Sequence, residues 1–143
     1  MNAMGGYDIQ DITVGMQASY AKTVTEADIV LFAGITGDHN PVHIDAETAA
    51  DSIFKGRIAH GMLSAGFISA VLGMRLPGPG AIYLSQTLKF LAPVRIGDTV
   101  RARCEVVAVE PEKRWVTLRT VCSVDGRRVI EGEAVVLVGA RTA

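Results

Sequence analysis

The spacing of apolar residues changes once along this chain, near residue 81: helical before it, alternating after it. Thr25, followed three residues later by Asp28, is the signature of a capped helix start. Ile29, Val30, Phe32 and Ala33 give that helix an apolar stripe, and Gly34 and Gly37 weaken and end it. The loop that follows, TGDHNPVH, turns on Pro41, which lacks a backbone donor and pushes Asn40 out of the helical region. Asp45 can cap a further short helix over about residues 46–54. Residues 60–76, HGMLSAGFISAVLGMRL, are apolar nearly all the way round, as in a helix buried on most sides, and the run LPGPG at 76–80 stops it.

Beyond residue 81 the period is two. Ile82, Leu84, Gln86, Leu88 and Phe90 share one face of a strand. Val100, Ala102, Cys104, Val106 and Ala108 share another, opposed by Arg101, Arg103 and Glu105. Val116, Leu118, Thr120, Cys122 and Val124 make a third face, and Ile130, Gly132, Ala134, Val136 and Val138 a fourth. Turns fall at Pro93 to Asp98, Glu110 to Lys113 and the hairpin pair Asp125-Gly126. Strands at hairpin spacing make an antiparallel sheet, and the helix at 60–76 is the only element apolar enough to cover its inner face. The expected architecture is α+β in a single domain over residues 1–143: helices first, then a meander wrapped round one buried helix. Val107, Val109 and Val121 would lie on the outside, which points to a further surface pairing and a homodimer.

Composition narrows the class. With 49% hydrophobic and 20% charged residues, 143 residues bury a core without disulfides or a structural metal. A net charge of −1 argues against a nucleic-acid partner. The charge is uneven, however: residues 1–88 carry 4 basic and 8 acidic groups, residues 89–143 carry 10 and 7. Spare arginines in the second part (Arg95, Arg101, Arg103, Arg114) are candidates for the phosphates of a small ligand, or else a solvated sheet face. Cys104 and Cys122 lack any CxxC or zinc spacing and read as core residues in a reducing compartment. No segment is long and apolar enough for a membrane span, so the cytoplasm is the expected location.

Polar chemistry is concentrated in one place. Asp38, His39, Asn40, His43 and Asp45 lie within eight positions, and His60, the last of three histidines, precedes the apolar helix. A metal site is not expected, because Pro41 interrupts the helix that would align His39 with His43. Ser64 and Ser69 lie inside the helix without the G-x-S-x-G frame of a serine nucleophile. The third option is acid/base work on a bound water, with Asp38 as base and His43 orienting the water or passing a proton. Desolvation under the apolar helix would raise the affinity of Asp38 for its proton. Against this stands a plain structural role, in which Asp38 caps a turn and His43 is a satisfied loop histidine.

Residues 32–50, FAGITGDHNPVHIDAETAA, closely resemble the G-D-x-N-P-x-H signature of the MaoC-like hydratase family. The resemblance continues through RIAHGMLSAGFISAVLG at 57–73 and PGPGAIYLSQTLKFLAPVRIGD at 77–98, and is strongest to the short, single-domain (R)-specific enoyl-CoA hydratases. It implies a hot-dog fold, an antiparallel sheet wrapped round a long central helix, paired into a homodimer with sites at the interface. It implies Asp38 and His43 as the catalytic pair, Ser69 as a supporting active-site serine, and Asn40 as a brace of the loop. It further implies that Gly61 offers its backbone amide to the thioester carbonyl, and that Leu72 and Val135 line the acyl pocket. No cofactor is implied; coenzyme A enters as part of the enoyl-CoA substrate. The alternatives on this fold are a (3R)-hydroxyacyl-ACP dehydratase with an acyl carrier protein as partner, an acyl-CoA thioesterase, and a non-catalytic acyl-CoA-binding module. The thioesterase is disfavoured because the helix at 60–76 carries no carboxylate.

Overall fold

Six antiparallel strands and one long helix enclose the core in the computed structural model, which describes residues 1–142. In chain order the elements are Gln17–Thr23 (β1), Glu26–Thr36 (α1), Pro41–Ile44 (α2), Ala46–Ala50 (α3), Gly61–Met74 (α4), Ile82–Gln86 (β2), Lys89–Phe90 (β3), Thr99–Glu110 (β4), Trp115–Val124 (β5) and Arg127–Leu137 (β6). A short 3-10 turn at Ile9–Asp11 precedes them. The sheet runs β1-β4-β5-β6-β2, with β3 also on β6. The expected meander holds for β4, β5 and β6, but the chain then returns so that its last strand lies beside its second. No helix of the described residues is long and apolar enough to cross a membrane.

The helix starts follow their caps. The Thr25 hydroxyl accepts from the Asp28 amide at 3.2 Å while the Asp28 carboxylate accepts from the Thr25 amide at 2.9 Å, and Gly37 closes α1 in the left-handed region at φ 84°. Asp45 accepts from the Glu47 and Thr48 amides, although α3 ends at Ala50, well short of residue 54. Asn40 is extended, as Pro41 requires, and Pro41 then opens the unforeseen short helix α2, where a first-turn amide would have no partner.

Along α4, Phe67, Ile68, Val71 and Leu72 are buried against the strands. The helix is not covered all round: Met62 is 54% exposed, and Gly66, Ser69 and Gly73 share its open side. Val100, Ala102, Cys104 and Val106 face inward as their alternation requires, but a bulge follows Val106. One extra residue flips the alternation, so Ala108 is exposed and Val109 packs against the core, the reverse of expectation. Val107 stays on the outside and Val121 is half-buried.

Two further differences concern the sheet edges. β1, QASYAKT, has too few apolar residues to read as a strand; its pairing with β4, from Gln17↔Glu105 to Thr23↔Thr99, places it. The single strand expected at 82–90 is broken into β2 and β3. Its apolar residues do not form a buried face: Ile82 is 55%, Leu84 45% and Phe90 52% exposed.

Candidate active site

Asp38 follows the Gly37 cap and is held by short-range bonds. Its amide donates to the Thr36 hydroxyl at 3.2 Å, and its Oδ1 accepts from the Asn40 amide at 3.2 Å. Asn40 Oδ1 in turn accepts from the Val42 amide at 3.2 Å, so the asparagine braces the bend that joins Asp38 to α2. Asp38 is exposed, contrary to the expectation that it lies desolvated beneath the apolar helix.

One turn into α2, His43 is buried, and its Nδ1 donates to the Ile58 carbonyl at 2.8 Å. That bond keeps the proton on Nδ1 and leaves Nε2 as an acceptor. The Ile58 amide returns a bond to Val42, and Arg57 Nε donates to the His43 carbonyl at 2.7 Å while its guanidinium pairs with Glu26 at 2.6 Å. Arg57 thus ties α2 to the first turn of α1. Sequence reasoning missed this arginine because its partners lie 14 and 31 residues away.

His60 completes the cluster. It is 2% exposed at the N-cap of α4, and its Nε2 donates to the Asp38 carbonyl at 2.9 Å. Its ring stacks on His43 with centroids 3.9 Å apart, and Phe32 lies 4.7 Å away. Asp38, His43 and His60 bring donor atoms within 4.8 Å of one another. As a metal site the trio is poor: two imidazole rings stacked 3.9 Å apart at 29° do not aim lone pairs at a common point. His39 is exposed and outside the cluster.

Gly61 lines a cleft of about 300 Å³ together with His43, Phe54, Ile58, Phe90 and Leu91. As the first residue of α4 its amide has no intrahelical acceptor, and the helix dipole aids negative charge there. A Cβ at 61 would stand 2.5 Å from Cδ1 and Cε1 of Phe90, so a larger residue fits there only if that ring moves. The expected roles of the remaining residues separate in space. Ser69 lies two turns further along α4, in an open groove with Met62, Gly66, Tyr83, Leu84 and Gln86. Leu72 is 2% exposed in the core, and Val135 is half-buried between inward-facing Ala134 and Val136, so neither borders the His43 cleft within one chain. Arg95 reaches the Phe54 carbonyl at the cleft rim, whereas Arg101 and Arg103 join Arg119 and Arg128 on the outer sheet face, and Arg114 sits in the β4–β5 turn.

The chain is similar to several known proteins. A curated (R)-specific enoyl-CoA hydratase of Rhodospirillum rubrum is 63% identical over 92% of the chain and 92% of its own length. A 3-hydroxybutyryl-CoA dehydratase of Methylorubrum extorquens is 52% identical over 90% of the chain and 82% of its own length. Among solved structures, an R-hydratase of Pseudomonas aeruginosa in unliganded form superposes with a TM-score of 0.90 at 43% identity, covering 95% of this chain and 88% of that one, and shares the hot-dog fold. The MaoC like domain model matches residues 10–127, which takes in the Asp38–His43 bend, the whole of α4 and β2 to β5, and the chain belongs to that family.

Proposed function

We propose that this chain is an (R)-specific enoyl-CoA hydratase that adds water to trans-2-enoyl-CoA, giving (R)-3-hydroxyacyl-CoA, and catalyses the reverse dehydration. One observation carries the reading: Asp38 and His43 bring polar atoms within 4.8 Å of one another, and His43, its Nδ1 committed to the Ile58 carbonyl, lines the same cleft as Gly61, the first residue of α4. Water held by the pair attacks C3 of the enoyl thioester. Negative charge develops on the thioester oxygen, which the Gly61 amide and the α4 dipole stabilise; one such donor is worth about 3–4 kcal/mol of barrier. The pair takes a proton from the water and returns one to C2, so hydroxyl and proton add across the double bond and both side chains regain their starting state. The R configuration follows the relatives named above. Arg95 at the rim suits a coenzyme A phosphate.

Asp38→Asn and His43→Ala, each still folded by circular dichroism, are expected to lose about 10²–10⁴ of the turnover, read as the decay of enoyl-thioester absorbance, with chiral analysis of the product. Undiminished turnover in both variants would reject the reading. The acyl carrier protein alternative is less supported: the four-arginine groove lies across the sheet from α4, away from the cleft mouth. Turnover on matched CoA and acyl-carrier thioesters separates the two.

The working form proposed is a cytoplasmic homodimer. β2 is an unpaired sheet edge bearing Ile82 and Leu84, and with α4 it borders the open Ser69 groove. α1 exposes Val30, Leu31 and Ile35 at 54%, 63% and 75%. An open edge and exposed apolar residues of this kind are features a soluble chain covers, and a second copy is the occupant the family resemblance indicates.

A further inference from the structure

Behind the Asp38–His43 pair lie two polar atoms that the proposed reaction does not use. His60 Nδ1 and Ser64 Oγ are both buried, and neither meets a hydrogen-bond partner within reach. His60 is the N-cap of α4, with extended backbone at φ −60° and ψ 133°, and Ser64 is the fourth residue of the helix that it opens. Ser64 is 1% exposed, and its hydroxyl does not take the carbonyl one turn back that a helical serine usually uses. The other edge of the imidazole is committed, because Nε2 donates to the Asp38 carbonyl. A neutral imidazole has one proton, so Nδ1 is an acceptor, and the hydroxyl a turn away has a proton to donate.

We infer that His60 is a positioning residue for the Asp38–His43 pair, and that Ser64 sets its tautomer by donating to Nδ1 through one trapped water. A buried donor and a buried acceptor, each costly alone, cancel that cost when they satisfy each other or share a water. With Nδ1 occupied as an acceptor, the His60 proton stays on Nε2. That proton then holds the Asp38 carbonyl, and with it the direction of the carboxylate. The same ring is the floor on which His43 lies. Arg57 donates from Nε to the His43 carbonyl. The inference rests on the hydratase reading for its kinetic consequences, but the tautomer is measurable without substrate.

The test is side-chain nitrogen NMR of the wild-type protein, combined with turnover of Ser64→Ala, His60→Gln and His60→Leu. In the wild type, His60 is expected to show a protonated Nε2 and an unprotonated, hydrogen-bonded Nδ1. Ser64→Ala is expected to abolish the hydrogen-bond shift at Nδ1 and to lower kcat about tenfold, with KM nearly unchanged. His60→Gln retains a donor for the Asp38 carbonyl and an acceptor for Ser64, and should keep more kcat than His60→Leu, for which about a hundredfold loss is expected. A wild-type proton on Nδ1 overturns the inference, as does a folded Ser64→Ala with unaltered His60 shifts and kcat. If His60→Leu does not fold, the wild-type spectrum and Ser64→Ala still decide. Wild-type turnover in both Asp38→Asn and His43→Ala would instead reject the hydratase reading, whatever the spectrum of His60 shows.

Discussion

The two sides of α4 differ in how much of a site one chain can build. At its first turn, Asp38, His43, His60 and Gly61 converge through bonds made wholly within the chain. Along its open side, Met62, Gly66 and Ser69 border a groove whose other wall is an unpaired strand edge. The first region is closed by capping bonds, a proline bend and two stacked imidazoles. The second has apolar residues and a serine without a counterpart. The difference teaches that the Asp38–His43–His60 cluster is complete within the subunit, whereas the Ser69 groove is left open beside the β2 edge.

The sharpest test of the closed region is Gly61→Ala, whose added methyl meets the Phe90 ring. Displacing the amide should cost about 10²–10³ in kcat, and Phe90→Ala in the same chain should restore part of it; full activity in the single variant would remove the amide from the mechanism. The open region is tested by placing charge on the strand edge with Ile82→Arg and Leu84→Arg together. Sedimentation should then show half the wild-type mass, and turnover should fall although Asp38 and His43 are untouched. A fully active monomer would show that the Ser69 groove needs no second copy.

Smaller effects bear on the framework of the closed region. Arg57→Ala removes donors from the His43 carbonyl and from Glu26, and should lower stability in urea by about 2 kcal/mol, with a matching loss of turnover. The Asp28 carboxyl is held below its ordinary range, first by its bond from Lys22 and then by the Thr25 amide. Its folded value lies below its unfolded one, so the stability it contributes is present above about pH 4 and disappears as the pH falls through the folded value. Asp28→Asn should flatten that part of the acid-denaturation profile, and an unchanged profile would show that the α1 cap is worth little. Burial raises the thiols of Cys104 and Cys122 to about 12, so neither should react with alkylating reagents at pH 8 until the sheet unfolds.

Legibility in the sequence tracked the range of the interactions. The caps of α1 and α3, the Pro41 bend and the hairpin at Asp125-Gly126 are decided within a few residues, and all lie where the pattern puts them. The motif likewise marked Asp38, Asn40 and His43. The bulge after Val106 was invisible because it depends on how β4 meets β5, not on either strand alone. β1 was missed for the same reason, since the partner that makes it a strand is about 80 residues away. His60 stood out as a polar residue before an apolar helix, yet its bond to the Asp38 carbonyl spans 22 residues.

By itself, then, the sequence determined the α+β class, the central helix and the inward faces of β5 and β6, because period and capping are local. Only the tertiary structure decided the tautomer of His43, the stacking of His60, the exposure of Asp38 and the distance between Ser69 and the dyad. Those depend on which carbonyls, rings and strand edges meet, and chain folding brings such partners together from positions whose spacing carries no local signal.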